Sequence, residues 1–128
     1  LIPGVIVKAL KGQSVELRAS SKFKRDYIFV DDASKAYYKL ILYMNKNKKK
    51  KLFIYNLGSK FNLNNLEVIK RIYKIMKVDL KPIILNQSSM ENVAQKIDFS
   101  KATKDLEWIP NTSFKEGLQK LVKSIKKN

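Results

Sequence analysis

The sequence contains no cysteine and no histidine. Disulfide bonds, thiolate chemistry and the usual zinc ligands are therefore excluded within these residues, and so is a nucleophile–histidine relay. Arginine occurs only at positions 18, 25 and 71. No apolar run approaches the roughly 20 residues that a membrane-spanning helix requires, so we expect no membrane association.

Lysine dominates the charge of this chain, which has 27 basic residues, 11 acidic residues and a formal net charge of +16. Such a balance allows a small basic module that binds nucleic acid or an acidic partner. Base-edge and bidentate phosphate recognition favour arginine, however. Lysines are spread over every predicted element and no nucleic-acid motif is present, so nucleic acid is the less favoured partner.

The 128 residues provide for one modest domain, and 45% apolar content is typical of a globular chain. The apolar periodicity predicts helices over 2–11, 32–45, 64–77, 100–107 and from 114 onward, and strands over 14–18, 27–30, 52–57 and 82–85. The run over 52–57 is almost continuously apolar, as in strands buried in a parallel sheet. We expect the other strands of that sheet to lie upstream of Leu1. The first residue is Leu1 and not Met, at what the pattern predicts to be a helix start, so we expect a truncated chain and no signal peptide.

The stretch over 25–37 combines a β-branched and aromatic run, two aspartates and the start of an amphipathic helix. Asp31 or Asp32 is predicted to cap that helix, whose dipole favours negative charge at its N-terminus. Arg25 precedes the predicted strand, where its guanidinium could reach an anion. From spacing alone, an ordinary strand–helix corner with a solvated arginine explains the same pattern.

Four pieces of the sequence, in order, resemble the extended short-chain dehydrogenase/reductases that act on nucleotide sugars. Arg25-Asp-Tyr-Ile-Phe-Val-Asp-Asp32 is similar to their Arg-Asp-aromatic-aliphatic-x-Val-x-Asp signature. The other pieces are Leu1-Ile-Pro-Gly-Val-Ile6 with Val15-Glu-Leu-Arg18, Tyr55-Asn-Leu-Gly58 with Asn65-Leu-Glu-Val-Ile69, and Asp98-Phe-Ser-Lys-Ala102 with Trp108-Ile-Pro110 and Phe114-Lys-Glu-Gly-Leu118. This group includes the nucleotide-sugar epimerases and 4,6-dehydratases, and the chain is nearest in character to dehydratases such as the CDP-glucose type.

The resemblance implies an α/β fold, with residues 1–128 as the substrate-binding C-terminal portion of a Rossmann-like enzyme. This portion would hold the last sheet strand and a small α/β subdomain. It further implies a cytoplasmic homodimer that binds a nucleotide sugar, with NAD held by an N-terminal part outside this chain. The family's glycine-rich loop and Tyr-x-x-x-Lys pair are absent from these residues, so we expect no activity from the chain alone.

The resemblance also implies substrate-binding residues. Arg25 matches the family's diphosphate-binding arginine, and Asn65 matches a position that donates to the same group in relatives of the dTDP-glucose dehydratase type. Leu17 and Arg18 align with a segment that lies against the base. Glu91 matches a polar substrate contact. Local roles remain open for three of them: a helix-start residue for Asn65, a core residue for Leu17 and a loop acid for Glu91. Arg18 could stack on the base or contact the phosphate.

Two positions depart from the family pattern. The loop over 86–96 lacks the second arginine that completes the phosphate clamp in relatives, and Lys96 is the only cation there. A lysine does not replace a bidentate guanidinium. Glu107 stands where relatives have glycine, and it should cost roughly 1 kcal/mol if the left-handed helix end is kept.

Overall fold

Short strands alternate with helices in the computed structural model, which describes residues 1–17, 23–49, 51–85 and 95–127. The elements are α1 (Ile2–Leu10), β1 (Glu16–Leu17), β2 (Lys24–Asp26), α2 (Val30–Lys46), β3 (Asn62–Asn64), α3 (Asn65–Met76), β4 (Ile83–Ile84), α4 (Ser100–Leu106) and α5 (Phe114–Lys127). Strand β1 pairs with β4, and β2 pairs with β3. The chain is therefore α/β, as the sequence predicts.

The chain divides into two compact units. The first unit comprises Leu1–Arg25, Leu63–Gln95 and Lys115–Asn128, and the second comprises Asp26–Asn62 and Lys96–Phe114.

In the first unit, α1 packs against α3. The buried side chains of these helices are aliphatic or aromatic and recur at helical spacing: Val5, Ile6, Ala9, Val68, Ile69, Ile72 and Tyr73. Strands β1 and β4 are parallel, with Glu16 opposite Ile83 and Leu17 opposite Ile84. The hydroxyl of Tyr73 accepts the amide of Val15 at 3.3 Å, which ties the sheet to the helix layer.

The N-terminus of α3 is formed by a capping box. The Asn64 side chain accepts the amide of Glu67 at 2.8 Å, and the Glu67 carboxylate accepts the amide of Asn64 at 2.8 Å. Two amides that a helix start leaves without an intrahelical partner are thereby satisfied. The helix predicted over 64–77 is therefore confirmed, with Asn64 as its N-cap.

In the second unit, α2 packs against α4 around a small core of Ala36, Ala102, Leu106 and Trp108. The indole nitrogen of Trp108 donates to the main-chain oxygen of Asp32 at 2.9 Å. The carboxylate of Asp32, only 1% exposed, accepts the amide of Thr112 at 2.8 Å. Asp32 therefore anchors the turn after α4 from both its main chain and its side chain.

The strand predicted over 27–30 is wrong, and neither Asp31 nor Asp32 is the N-cap of the helix that follows. The strand is β2, three residues earlier, and α2 already begins at Val30 with Phe29 as its N-cap. Phe29 makes no side-chain cap hydrogen bond, and Asp31 and Asp32 lie in the first turn of α2, where their negative charge suits the helix dipole. Asp32 is turned inward because its buried carboxylate meets the Thr112 amide, a long-range partner that local pattern does not reveal.

The strand predicted over 52–57 is also not formed within the described part of the chain. Alternate side chains still face opposite ways: Tyr55 and Leu57 pack on the second unit's core, whereas Leu52 and Ile54 are 66% and 68% exposed. A strand requires a neighbour that completes its main-chain hydrogen bonds. No described strand lies beside these residues. The apolar run therefore has the alternating side chains of a strand but not the main-chain hydrogen bonds to a neighbouring strand.

The helix end at Glu107 has the predicted left-handed geometry, with φ 51° and ψ 37°. The main-chain oxygen of Glu107 accepts a hydrogen bond from the Lys39 side chain. The carboxyl end of α3 closes in the same way at Lys77, whose φ is 57°. Neither position carries the glycine that this conformation favours.

Candidate functional site

Arg25 lies in the middle of β2 and is half-buried. Its guanidinium donates to the main-chain oxygen of Lys24 at 3.0 Å. A guanidinium carries five N–H groups in a planar fork, the arrangement that matches phosphate oxygens in pairs. The strand therefore presents, at a fixed main-chain position, the side chain best suited to bind a diphosphate.

Asn65 occupies the first position of α3, immediately after the capping residue Asn64. The strand that pairs with β2 is β3, which runs directly into this helix. Arg25 and Asn65 thus belong to the same unit and to adjoining elements. The first turn of a helix also carries the positive end of the helix dipole, which favours an anion.

Leu17 lies in β1 and is only 4% exposed, so its side chain belongs to the core of the first unit. Its main-chain oxygen accepts the amide of Leu85 at 2.9 Å. Any contact of Leu17 with a base would run through main-chain atoms. Arg18 and Glu91 lie outside the described residues.

Sequence reasoning missed Asp26, the neighbour of Arg25. Its Oδ1 accepts the amide of Ser59 at 2.7 Å and its Oδ2 accepts the amide of Ile97 at 3.4 Å. Asp26 is the last residue of β2, and aspartate is depleted in strands. Because the sequence pattern placed the strand over 27–30, after Asp26, it gave no local signal of this tertiary role.

Polar contacts also fix the short helix α4. The Asp98 carboxylate accepts the amide of Ser100 at 2.9 Å, and its main-chain and side-chain hydrogen bonds with Ser100 lower the pKa of Asp98. The Lys101 ammonium lies 3.5 Å from the centre of the Tyr55 ring. The Tyr55 hydroxyl donates to Asp105 at 2.9 Å, and burial, together with this hydrogen bond, raises the pKa of Tyr55. These groups hold structure and do not provide a base.

The described residues do not fit a dinucleotide cofactor. A pyrophosphate cradle needs glycines close together in one loop, and the described glycines are far apart in the chain. The space at Gly58 is filled by Ile97, because an added Cβ would lie 2.9 Å from the Ile97 Cβ. The described residues also contain no group of three or more histidine, cysteine, aspartate or glutamate side chains that could hold a metal ion. Among the helices described, none has the length and apolar character needed to cross a membrane.

Comparison with known proteins gives consistent matches over this chain. The sequence model of the family described as "Epimerase: NAD dependent epimerase/dehydratase family" matches residues 1–58. The dTDP-glucose 4,6-dehydratase of Haemophilus influenzae is 29% identical over 96% of this chain and 38% of its own length. That of Neisseria gonorrhoeae is 27% identical over 95% of this chain and 37% of its own length. The chain thus spans well under half the length of the curated relatives it matches.

Solved structures show the same similarity. The dTDP-glucose 4,6-dehydratase of Bacillus anthracis, solved in complex with NAD, superposes with a TM-score of 0.81 at 26% identity, over 100% of this chain and 39% of that one. The UDP-glucose 4-epimerase of Thermotoga maritima, solved with UDP-glucose, superposes with a TM-score of 0.84 over 98% of this chain and 39% of that one. Because this epimerase is only 23% identical to the present chain, the similarity shows that the two share a fold and nothing more.

Proposed function

We propose that this chain belongs to the NAD-dependent epimerase/dehydratase family and forms the substrate-binding part of a nucleotide-sugar epimerase or 4,6-dehydratase. The match of the family model to residues 1–58 and the similarity to dTDP-glucose 4,6-dehydratases support this proposal. The NAD-binding part and the catalytic Tyr-x-x-x-Lys pair would lie in a preceding portion of the full-length protein. The share of the relatives' length that this chain covers supports that division.

The observation that carries the proposal is the placement of Arg25 in β2, one strand away from the segment that leads into Asn65. In the proposed complex, the Arg25 guanidinium binds the diphosphate through paired charge-assisted hydrogen bonds. Asn65 donates to the same group from the first turn of α3. Leu17 and Arg18 line the base, and Glu91 contacts the substrate.

The proposed substrate is a nucleoside diphosphate sugar, with dTDP-glucose as the first ligand to test. The dTDP-glucose 4,6-dehydratases of Haemophilus influenzae and Neisseria gonorrhoeae match over nearly the whole chain. When bound, NAD supplies the oxidant for the sugar in this family. The residues described here would bind and orient the diphosphate and take no part in hydride transfer. A homodimer in the cytoplasm is the proposed working form.

The test is a thermal-shift titration of the full-length protein with dTDP-, UDP-, CDP- and GDP-glucose. A ligand that binds only the folded state raises the melting temperature. We expect stabilisation by one nucleotide sugar, little affected by moderate salt. A response to DNA or RNA alone, weakening steeply with salt, would instead support the basic binding module.

Arg25→Ala should weaken nucleotide-sugar binding by about 2–3 kcal/mol, the loss expected when a charged hydrogen-bond partner is removed. The matched control is Arg71→Ala, which removes an exposed arginine from α3 in the same unit. Titration calorimetry should show near-native affinity for the control. Equal affinity of both variants would remove Arg25 from the site.

A further inference from the structure

The segment over 95–97 lies alongside β2, the strand that contains Arg25. The main-chain oxygen of Lys24 accepts the amide of Gln95 at 3.2 Å, and the side chain of Asp26 accepts the amide of Ile97 at 3.4 Å. The two acceptors lie two residues apart on one segment, and the two donors lie two residues apart on the other. This spacing is the hydrogen-bond pattern of two parallel strands. The pair β1 and β4 shows the same pattern, with the oxygens of Val15 and Leu17 accepting the amides of Ile83 and Leu85.

The two ladders differ in their second acceptor. In β1 it is a main-chain oxygen, whereas in β2 it is the carboxylate of Asp26. A carboxylate has two oxygens and accepts several hydrogen bonds, so it can serve a second segment at the same time. Asp26 does so, because its other oxygen accepts the amide of Ser59 at 2.7 Å.

The two segments that Asp26 binds are themselves in close contact. A Cβ on Gly58 would lie 2.9 Å from the Cβ and 3.1 Å from the oxygen of Ile97. Real side chains do not tolerate such a distance, so glycine is required where the loop over 58–59 passes Ile97. Ser59 is 6% exposed and its hydroxyl accepts the amide of Phe61 at 2.9 Å. Asp26 therefore sits at a tightly packed junction whose polar atoms are paired.

We propose that Asp26 is a positioning residue for nucleotide-diphosphate binding. Its carboxylate fixes Ile97 and Ser59 against β2 and so holds the main chain that carries Arg25. Successive residues of a strand point to opposite faces, so Asp26 can bind the protein's own amides while Arg25 serves the ligand. The inference rests on the proposed function, in which Arg25 binds the diphosphate.

The test uses the full-length protein and three variants. Asp26→Ala removes both acceptor oxygens, and Asp26→Asn keeps the size of the side chain and one acceptor oxygen. Asp79→Ala is the control, because Asp79 is an exposed acid of the first unit. Hydrogen exchange is followed in peptides that contain Ser59 and Ile97, and the affinities for dTDP and for thymidine are measured separately.

Both Asp26 variants should exchange faster at Ser59 and Ile97, and Asp79→Ala should not. The affinity for dTDP should fall about tenfold in Asp26→Ala, the size of effect that one hydrogen bond to a charged group produces. Asp26→Asn should lie between this variant and the wild type. The affinity for thymidine should stay near the wild-type value, because a positioning role acts on the diphosphate contact, whereas general loss of structure weakens both ligands.

The outcomes separate the two ideas. If the wild type binds dTDP and Arg25→Ala weakens it, but folded Asp26→Asn and Asp26→Ala bind dTDP normally, the positioning role is overturned and the proposed function stands. Equal losses for dTDP and thymidine also overturn the role, since Asp26 would then be structural only. If the wild type binds neither dTDP nor any nucleotide sugar, the proposed function fails and the positioning role falls with it.

Discussion

The two units of this chain are stabilised by different kinds of contact. In the first unit the buried residues of α1 and α3 form an apolar core, and the Tyr73 hydroxyl accepts the amide of Val15 beside it. In the second unit the apolar core is smaller, and buried or half-buried polar groups anchor it: Asp32 to Trp108 and Thr112, and Tyr55 to Asp105.

Their surfaces differ as well. The first unit has 16 basic against 5 acidic residues and the second has 11 against 6, so most of the net charge belongs to the unit that contains Arg25. The second unit exposes large apolar side chains along α2 and the run after it, among them Val30, Tyr37, Tyr38, Ile41, Leu52 and Ile54. Most of the net charge thus lies in the proposed anion-binding unit. Exposed apolar side chains occur in both units, but the most exposed ones, at 62–68%, lie in the second unit, whereas those of the first unit, such as Leu1 and Ile83, are at most 50% exposed.

The largest expected effect is in the second unit. Trp108→Ala removes a side chain that is 2% exposed, packs at 5.9 Å from the Phe99 ring and donates to Asp32. We expect a loss of about 3–5 kcal/mol in the free energy of unfolding, measured by urea denaturation. Ile109→Ala, at a neighbouring position that is 45% exposed, is the control and should cost less than about 1 kcal/mol. Similar costs would show that the indole is not the anchor.

Asp32→Ala tests the polar anchoring directly. The variant leaves the amide of Thr112 without its carboxylate partner, so we expect a loss of about 2 kcal/mol in the free energy of unfolding. Asp31→Ala is the matched control, because Asp31 lies in the same first turn of α2 but is exposed. If Asp31→Ala proved the more damaging change, the negative charge at the helix start would matter more than the buried contact.

Glycine at the two left-handed helix ends should stabilise both units alike. Lys77→Gly in the first unit and Glu107→Gly in the second relieve a positive φ, and each should add about 0.5–1 kcal/mol after the entropy of the unfolded glycine is counted. Thermal denaturation measures the gain. Lys74→Gly, inside α3, should instead destabilise by up to about 1 kcal/mol. A loss at either helix end would contradict this account.

The smallest effect concerns the pH dependence of the second unit. Folding raises the pKa of Tyr55 above its ordinary value of 10.0, through burial and the hydrogen bond to Asp105. A raised pKa means that the contribution of Tyr55 to stability is complete below pH 10.0 and is lost as the pH rises above it. The melting temperature of the wild type should therefore fall more between pH 9 and pH 11 than that of Tyr55→Phe. Parallel curves would show that the phenol contributes nothing.

Local signals in the sequence predicted most of the helices. The capping pair Asn64 and Glu67 fixes the start of α3, and the apolar stripe of α5 buries Leu118 and Val122 as expected. These signals succeed because caps and stripes depend on residues within a few positions of each other. The left-handed end at Glu107 followed from the resemblance to a family with glycine there.

The errors fell where a partner is distant in sequence. The position of β2 depends on β3, more than 30 residues away, and β3 itself has no distinctive pattern of its own. Asp32 was taken for a cap, although its partner is Thr112. Asp26 was not singled out, although it binds Ser59 and Ile97.

The sequence by itself determined the α/β class, the helices, the resemblance to the epimerase/dehydratase family and the candidate Arg25, because each depends on short patterns of residues. Only the tertiary structure decided which acidic residues are structural, where β2 lies and why position 58 requires a glycine. Those features follow from contacts between segments far apart in the chain, and the free energy of such contacts depends on distances and burial that exist only once the chain has folded.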